Sequence, residues 1–147
     1  MIQNLVVIFI ALLIVTLNGL IGHFYPPNGI IWTPLVISIS TYLVAFRTTQ
    51  LNPIIKSLLA FIFIALNDIL LKLYAGGTHD NEGLEWILFF LYLGLIPTSG
   101  IILTSVITDK QTNITSKIIS LVVFPALIVA HLYLFSNLGL GREYPIN

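Results

Sequence analysis

Asp68 and Lys72 lie four residues apart in "ALNDILLKLY" (65–74), a stretch otherwise as apolar as a lipid-facing helix. At that spacing a carboxylate and an ammonium share one helical face and can pair along it. His131 stands in a second apolar run, "LIVAHLYLF" (127–135), Asn18 in a third, "LIVTLNGLIG" (13–22), and Tyr92 in a fourth, "FFLYLGL" (89–95). A carboxylate, an ammonium and an imidazole held in one dry pocket have coupled proton occupancies, which suits proton or ion exchange. A second chemistry is also open. His23, His79 and His131 with Asp68, Asp80 and Glu82 could supply a His/carboxylate metal site, although their scattered spacing matches no motif such as H-E-x-x-H. The plainest role is structural: the Asp68–Lys72 pair neutralises itself and pins its helix within a bundle.

The elements that must position these groups follow from composition. Of 147 residues, 57% are hydrophobic and 8% charged, with a mean hydropathy of +1.01. A soluble domain carries about 25% charged residues, so this surface is made for lipid. Equal numbers of basic and acidic residues, six each, leave no field to attract nucleic acid. The absence of cysteine excludes thiolate catalysis and Cys-ligated metal centres. No phosphate-binding glycine loop and no G-x-S-x-G elbow occurs, and no motif assigns a cofactor.

The expected fold is all-α: a polytopic transmembrane helix bundle forming a single domain over 1–147. Spanning the hydrocarbon takes about 17–25 mostly apolar residues, and the expected spans are 5–24, 30–46, 53–74, 84–107 and 117–138. "YPPNG" (25–29) reads as a tight turn, "RTTQLNP" (47–53) as a polar connection and "AGGTHDNEG" (75–83) as a flexible loop. The second span is short, and a four-span arrangement is the alternative. Helix association in lipid relies on small residues and polar contacts. Such seams are expected at Ala11, Asn18 and Gly22, at Pro34, Ser38, Thr41 and Ala45, and at Gly94, Thr98 and Ser105. Pro97 and Pro125 are expected to kink their helices.

With five spans, Arg47, Lys56, Lys110 and Lys117 gather on the side of the N-terminus; the other side has Arg142 and, at the outer end of the third span, Lys72, together with Asp80, Glu82, Glu85 and Glu143. The excess of basic residues marks the cytoplasmic side. The N-terminus is therefore expected inside and the C-terminus outside, in a multi-pass protein of the cytoplasmic membrane if the source is bacterial. At about 1.5 Å per residue, Asp68 stands roughly 22 Å from Pro53, His131 roughly 21 Å from Lys117 and Asn18 roughly 21 Å from Asn4. Tyr92, about 10 Å below Glu85, approaches the same level. The expected site is an outward-opening polar pocket lined by Asn18, Asp68, Lys72, Tyr92 and His131, with His23, His79, Asp80, Glu82 and Glu85 at its mouth. Such a pocket fits a channel- or transporter-type protein handling a proton, an ion or a small polar solute. Five helices are few for this, so a homo-oligomer or a membrane partner is expected. The alternatives are a membrane-embedded enzyme acting on a lipid or envelope precursor, and an accessory or scaffold subunit.

Overall fold

A computed structural model describes residues 2–49 and 51–144. Among these residues five α-helices form the bundle: α1 (Ile2–Phe24), α2 (Pro26–Tyr42), α3 (Pro53–Tyr74), α4 (Asn81–Thr108) and α5 (Ile114–Leu134). A wider π-turn, Leu43–Arg47, prolongs α2, so that Pro26–Arg47 makes one 22-residue apolar span. All five elements are long and apolar enough to cross a membrane. Two short strands, β1 (Gly77–Thr78) and β2 (Glu143–Tyr144), pair antiparallel beside the end of α3. The end holding the N-terminus and the α2–α3 and α4–α5 connections is called proximal below; the end holding β1 and β2 is called distal.

Burial is inverted relative to a protein in water. Leu5, Phe9, Leu35, Ile96, Val129 and Leu134 point outward, whereas Asn18, Asn67, Asp68, Lys72, Ser120 and His131 are buried. Such an arrangement is stable only where the surroundings are hydrocarbon and the polar groups satisfy one another inside. The chain is built as a multi-pass membrane protein.

Helix α3 is the central post. Its residues enter all three apolar clusters: Ala60 and Ile64 with Ile37, Leu91, Ile102, Phe124 and Ile128, Phe63 with Ala11, Val15, Val36 and Val44, and Leu71 with Leu84 and Ile87. Ile55, Leu58 and Ile62 of this helix face outward, while its covered side carries Ser57, Asn67, Asp68 and Lys72 among protein neighbours. At its proximal end Ser57 and Ser120 share a 2.6 Å hydrogen bond, and Ser120 also donates to the Pro53 carbonyl. Side-chain caps fix where three helices begin. Asn52 accepts from the Ile54 amide, Asp80 from Gly83 and Asn113 from Ser116.

Several boundaries differ from expectation: α1 and α4 each begin three residues early, the expected 75–83 loop holds β1 and the start of α4, and α2 and α5 differ as follows. The "PPNG" segment is not a turn but the first turn of α2, leaving only Tyr25 between α1 and α2. Proline suits that position because the first helical amides have no intrahelical partner to lose. So abrupt a reversal requires the two backbones to touch: a Cβ added to Gly29 would collide with the Gly22 Cα. The fifth helix begins at Ile114 and stops at Leu134, short of residue 138. From Phe135 the chain turns back across the distal end through Gly139 and Gly141, whose φ values of +86° and +79° suit glycine. The seams hold where small residues were expected: Gly94 lies against Pro34 and Ile37, and Ser105 donates to the Ala45 carbonyl. Helices α2, α4 and α5 run on through Pro34, Pro97 and Pro125.

Candidate functional site

The Asp68 side chain is the meeting point of two helices. Its Oδ2 accepts from Lys72 Nζ, one turn further along α3, at 2.9 Å. The same oxygen accepts from His131 Nε2 of α5 at 2.8 Å. All three residues are buried, at 1%, 0% and 4% exposure. The i, i+4 spacing places the carboxylate and ammonium on the α3 face that packs against α5, and His131 sits near the end of α5, level with them. Phe61 meets the imidazole edge-on at 6.1 Å, and Phe135 lies against it at 4.9 Å. Lys72 Nζ also donates to the Phe135 carbonyl at 3.0 Å. Asp68 Oδ1 is different: within the described residues it has no hydrogen-bond partner. A buried carboxylate oxygen left unpaired is costly, because its hydration is lost without replacement.

Asn18 belongs to a second polar cluster on another face of α3. Its Nδ2 donates to Asn67 Oδ1 at 2.9 Å and to the Gly29 carbonyl at 3.1 Å, and Asn67 donates to Thr33 Oγ1 at 3.4 Å. This amide cluster ties α1, α2 and α3 together. Neighbouring residues on a helix point about 100° apart, so Asn67 and Asp68 address two different interfaces. The expected common plane thus divides into an amide cluster and an ionic triad.

The remaining expected residues stand apart from the triad. Tyr92 is half-exposed on the outer side of α4. It lines an open groove of about 950 Å³ with Glu82, Glu85, Trp86 and Phe89. Asp80 is occupied as the α4 cap. His23 Nδ1 meets the Tyr74 carbonyl at 2.8 Å, and His79 Nε2 the Ala75 carbonyl at 2.8 Å. Both imidazoles therefore hold the backbone where α3 ends. The five mouth residues are placed differently: Glu82 and Glu85 line the outer groove with Tyr92, Asp80 caps α4, and His23 and His79 hold carbonyls at the end of α3. A smaller apolar cavity of about 420 Å³ lies between Pro26, Ile30, Gly76, Trp86 and Phe90. A polar one of about 590 Å³ lies at the proximal end, among Asn52, Lys56, Asp109, Gln111 and Ser116. Asp68, Lys72 and His131 line none of these three cavities.

Among the described residues, no three His, Cys, Asp or Glu side chains come together as metal ligands would. Asn67, Thr33 and the Phe135 carbonyl were not expected at the polar interior. For Asn67 the signal was present, since two consecutive polar residues in an apolar helix must find two separate partners. A main-chain carbonyl leaves no such mark.

One physical property follows from the triad. Two potential donors share a single carboxylate oxygen, so a proton gained or lost by any member alters the charge balance of the other two. No protein-family model, curated protein or solved structure matches this chain.

Proposed function

We propose that this protein handles protons, or an ion exchanged against them, through the buried carboxylate of Asp68. The observation that carries this is the asymmetry of that carboxylate: Oδ2 takes both Lys72 and His131, while Oδ1 is buried and unpartnered. A pair retained only to pin helices gains by saturating both oxygens. An oxygen held ready to receive a proton is left open. Ionisable groups inside membrane proteins characteristically mark ion or proton pathways.

In this reading the N-terminus is cytoplasmic, since Arg47, Lys56, Lys110 and Lys117 cluster at the proximal end, and the triad lies nearer the outer surface. Self-association or a membrane partner completes the path, because Asp68, Lys72 and His131 are buried and line none of the three cavities described above. The metal-dependent enzyme receives no comparable support, as His23 and His79 contact the Tyr74 and Ala75 carbonyls and no three metal-type ligands come together among the described residues.

Proton flux into proteoliposomes tests the proposal. Wild-type protein is expected to dissipate an imposed pH gradient, Asp68→Asn to abolish this while eluting as the same monodisperse species, and Asp68→Glu to restore part of it. A wild type without flux, or an Asp68→Asn variant with undiminished flux, would remove the proposal.

A further inference from the structure

We infer that residues 135–142 form a strap closing the distal approach to Asp68, and that this strap must lift before the triad exchanges protons with water at that end. The inference rests on the proton-handling reading above and adds how access is controlled.

Three sets of contacts define the strap. Phe135, its first residue, touches two members of the triad, accepting from Lys72 Nζ through its carbonyl and covering the His131 ring with its own. In the middle, Gly139 rests on the end of α3 so closely that an added Cβ would collide with the Lys72 carbonyl oxygen. At the far end, the Gly141 amide donates to the His79 carbonyl and the His79 amide to the Arg142 carbonyl, each at 2.9 Å. The pairing of β1 with β2 continues this attachment. The ammonium that neutralises Asp68 is therefore also the anchor of the strap.

The strap is lightly held compared with what it covers. Asn137, Leu140, Gly141 and Arg142 are exposed, and none of residues 135–142 reaches the burial of the triad. Segments with little buried apolar surface and exposed backbone hydrogen bonds open at far lower cost than the core. Lifting the strap removes the Phe135 carbonyl from Lys72. Water is then the available acceptor for the ammonium and the available donor for Asp68 Oδ1, so opening and hydration are coupled.

The native sequence contains no cysteine, so a Thr78→Cys/Glu143→Cys pair, placed at partnered positions of the ladder, would tie the strap down reversibly. The full chain in nanodiscs is treated with a water-soluble carbodiimide and glycine ethyl ester, and Asp68 modification is followed by peptide mass spectrometry. Oxidation is expected to slow Asp68 modification by about tenfold, reduction to restore it, and Gly139→Val to quicken it, as for a site reached through local opening. Equal rates in the oxidised and reduced forms, with the disulfide verified by mass, would overturn the strap. The measurement needs no transport. A difference in rate without proton flux upholds the strap and removes the transport proposal; flux with no difference in rate does the reverse.

Discussion

Among the described residues, Lys72 is the largest side chain to be almost wholly enclosed, and one oxygen of Asp68 is its ion-pair partner. Removing a single partner of a buried pair strands the other charge, at a cost of about 3–5 kcal/mol, whereas replacing both can be close to neutral. Asp68→Asn is therefore expected to lower thermal stability in detergent more than the Asp68→Asn/Lys72→Met double variant. A double variant less stable than the single one would show that the pair is not a closed electrostatic unit. The i, i+4 relation of Asp68 to Lys72 was legible in the chain because helical geometry alone dictates it. That His131 would supply the third group depended on the pairing of α3 with α5, which no local spacing encodes. Tyr92 illustrates the limit: its depth was readable, but depth without rotation cannot place a side chain inside or outside a bundle.

At the scale of helices, packing rather than hydrophobic burial decides association, and the glycines separate the two kinds of surface. A Cβ at Gly94 would approach the Pro34 Cα to 2.8 Å, whereas one at Gly100 meets nothing within 4 Å. Gly94→Ala is expected to destabilise by about 1–3 kcal/mol through overpacking of α2 against α4. Gly100→Ala should be neutral or stabilise by up to about 1 kcal/mol through helix propensity. Thermal unfolding of the two variants side by side checks this, and equal effects would contradict the α2–α4 seam. The α4–α5 connection carries a pH signature. Hydrogen bonds from the Gln111 amide, then from the Thr112 hydroxyl and amide, hold the Asp109 carboxyl below the usual carboxylate range. A lowered folded value means that its contribution is complete above the unfolded value of about 3.9 and is lost as pH falls through the folded one. The stability difference between wild type and Asp109→Asn is expected to shrink on titration from about pH 6 to about pH 2.5; a constant difference would refute it. Span positions were readable because apolar run length is a local property. The start of α2 was misread because a proline pair serves a turn and a first helical turn equally well.

For the whole molecule, orientation is the first quantity to measure. Cysteines introduced singly at Lys110 and at Glu82 are expected to react with an impermeant maleimide from opposite sides in intact cells, Glu82→Cys from outside; the reverse pattern would invert the topology. The class of the molecule was settled by the sequence itself, because too few charged residues exist to coat it against water and five apolar runs have bilayer length. So was the presence of ionisable groups within those runs, at Asp68, Lys72 and His131. The tertiary structure alone decided which of them meet. Rotation of each helix about its own axis turned His131 onto Asp68, gave Asn18 to Asn67 and left Tyr92 outside; close approaches of Gly22 to Gly29 and of Gly94 to Pro34 set how α2 lies against α1 and α4. The return of residues 135–142 over Lys72 was likewise invisible beforehand, because its principal contact is a main-chain carbonyl that every residue possesses.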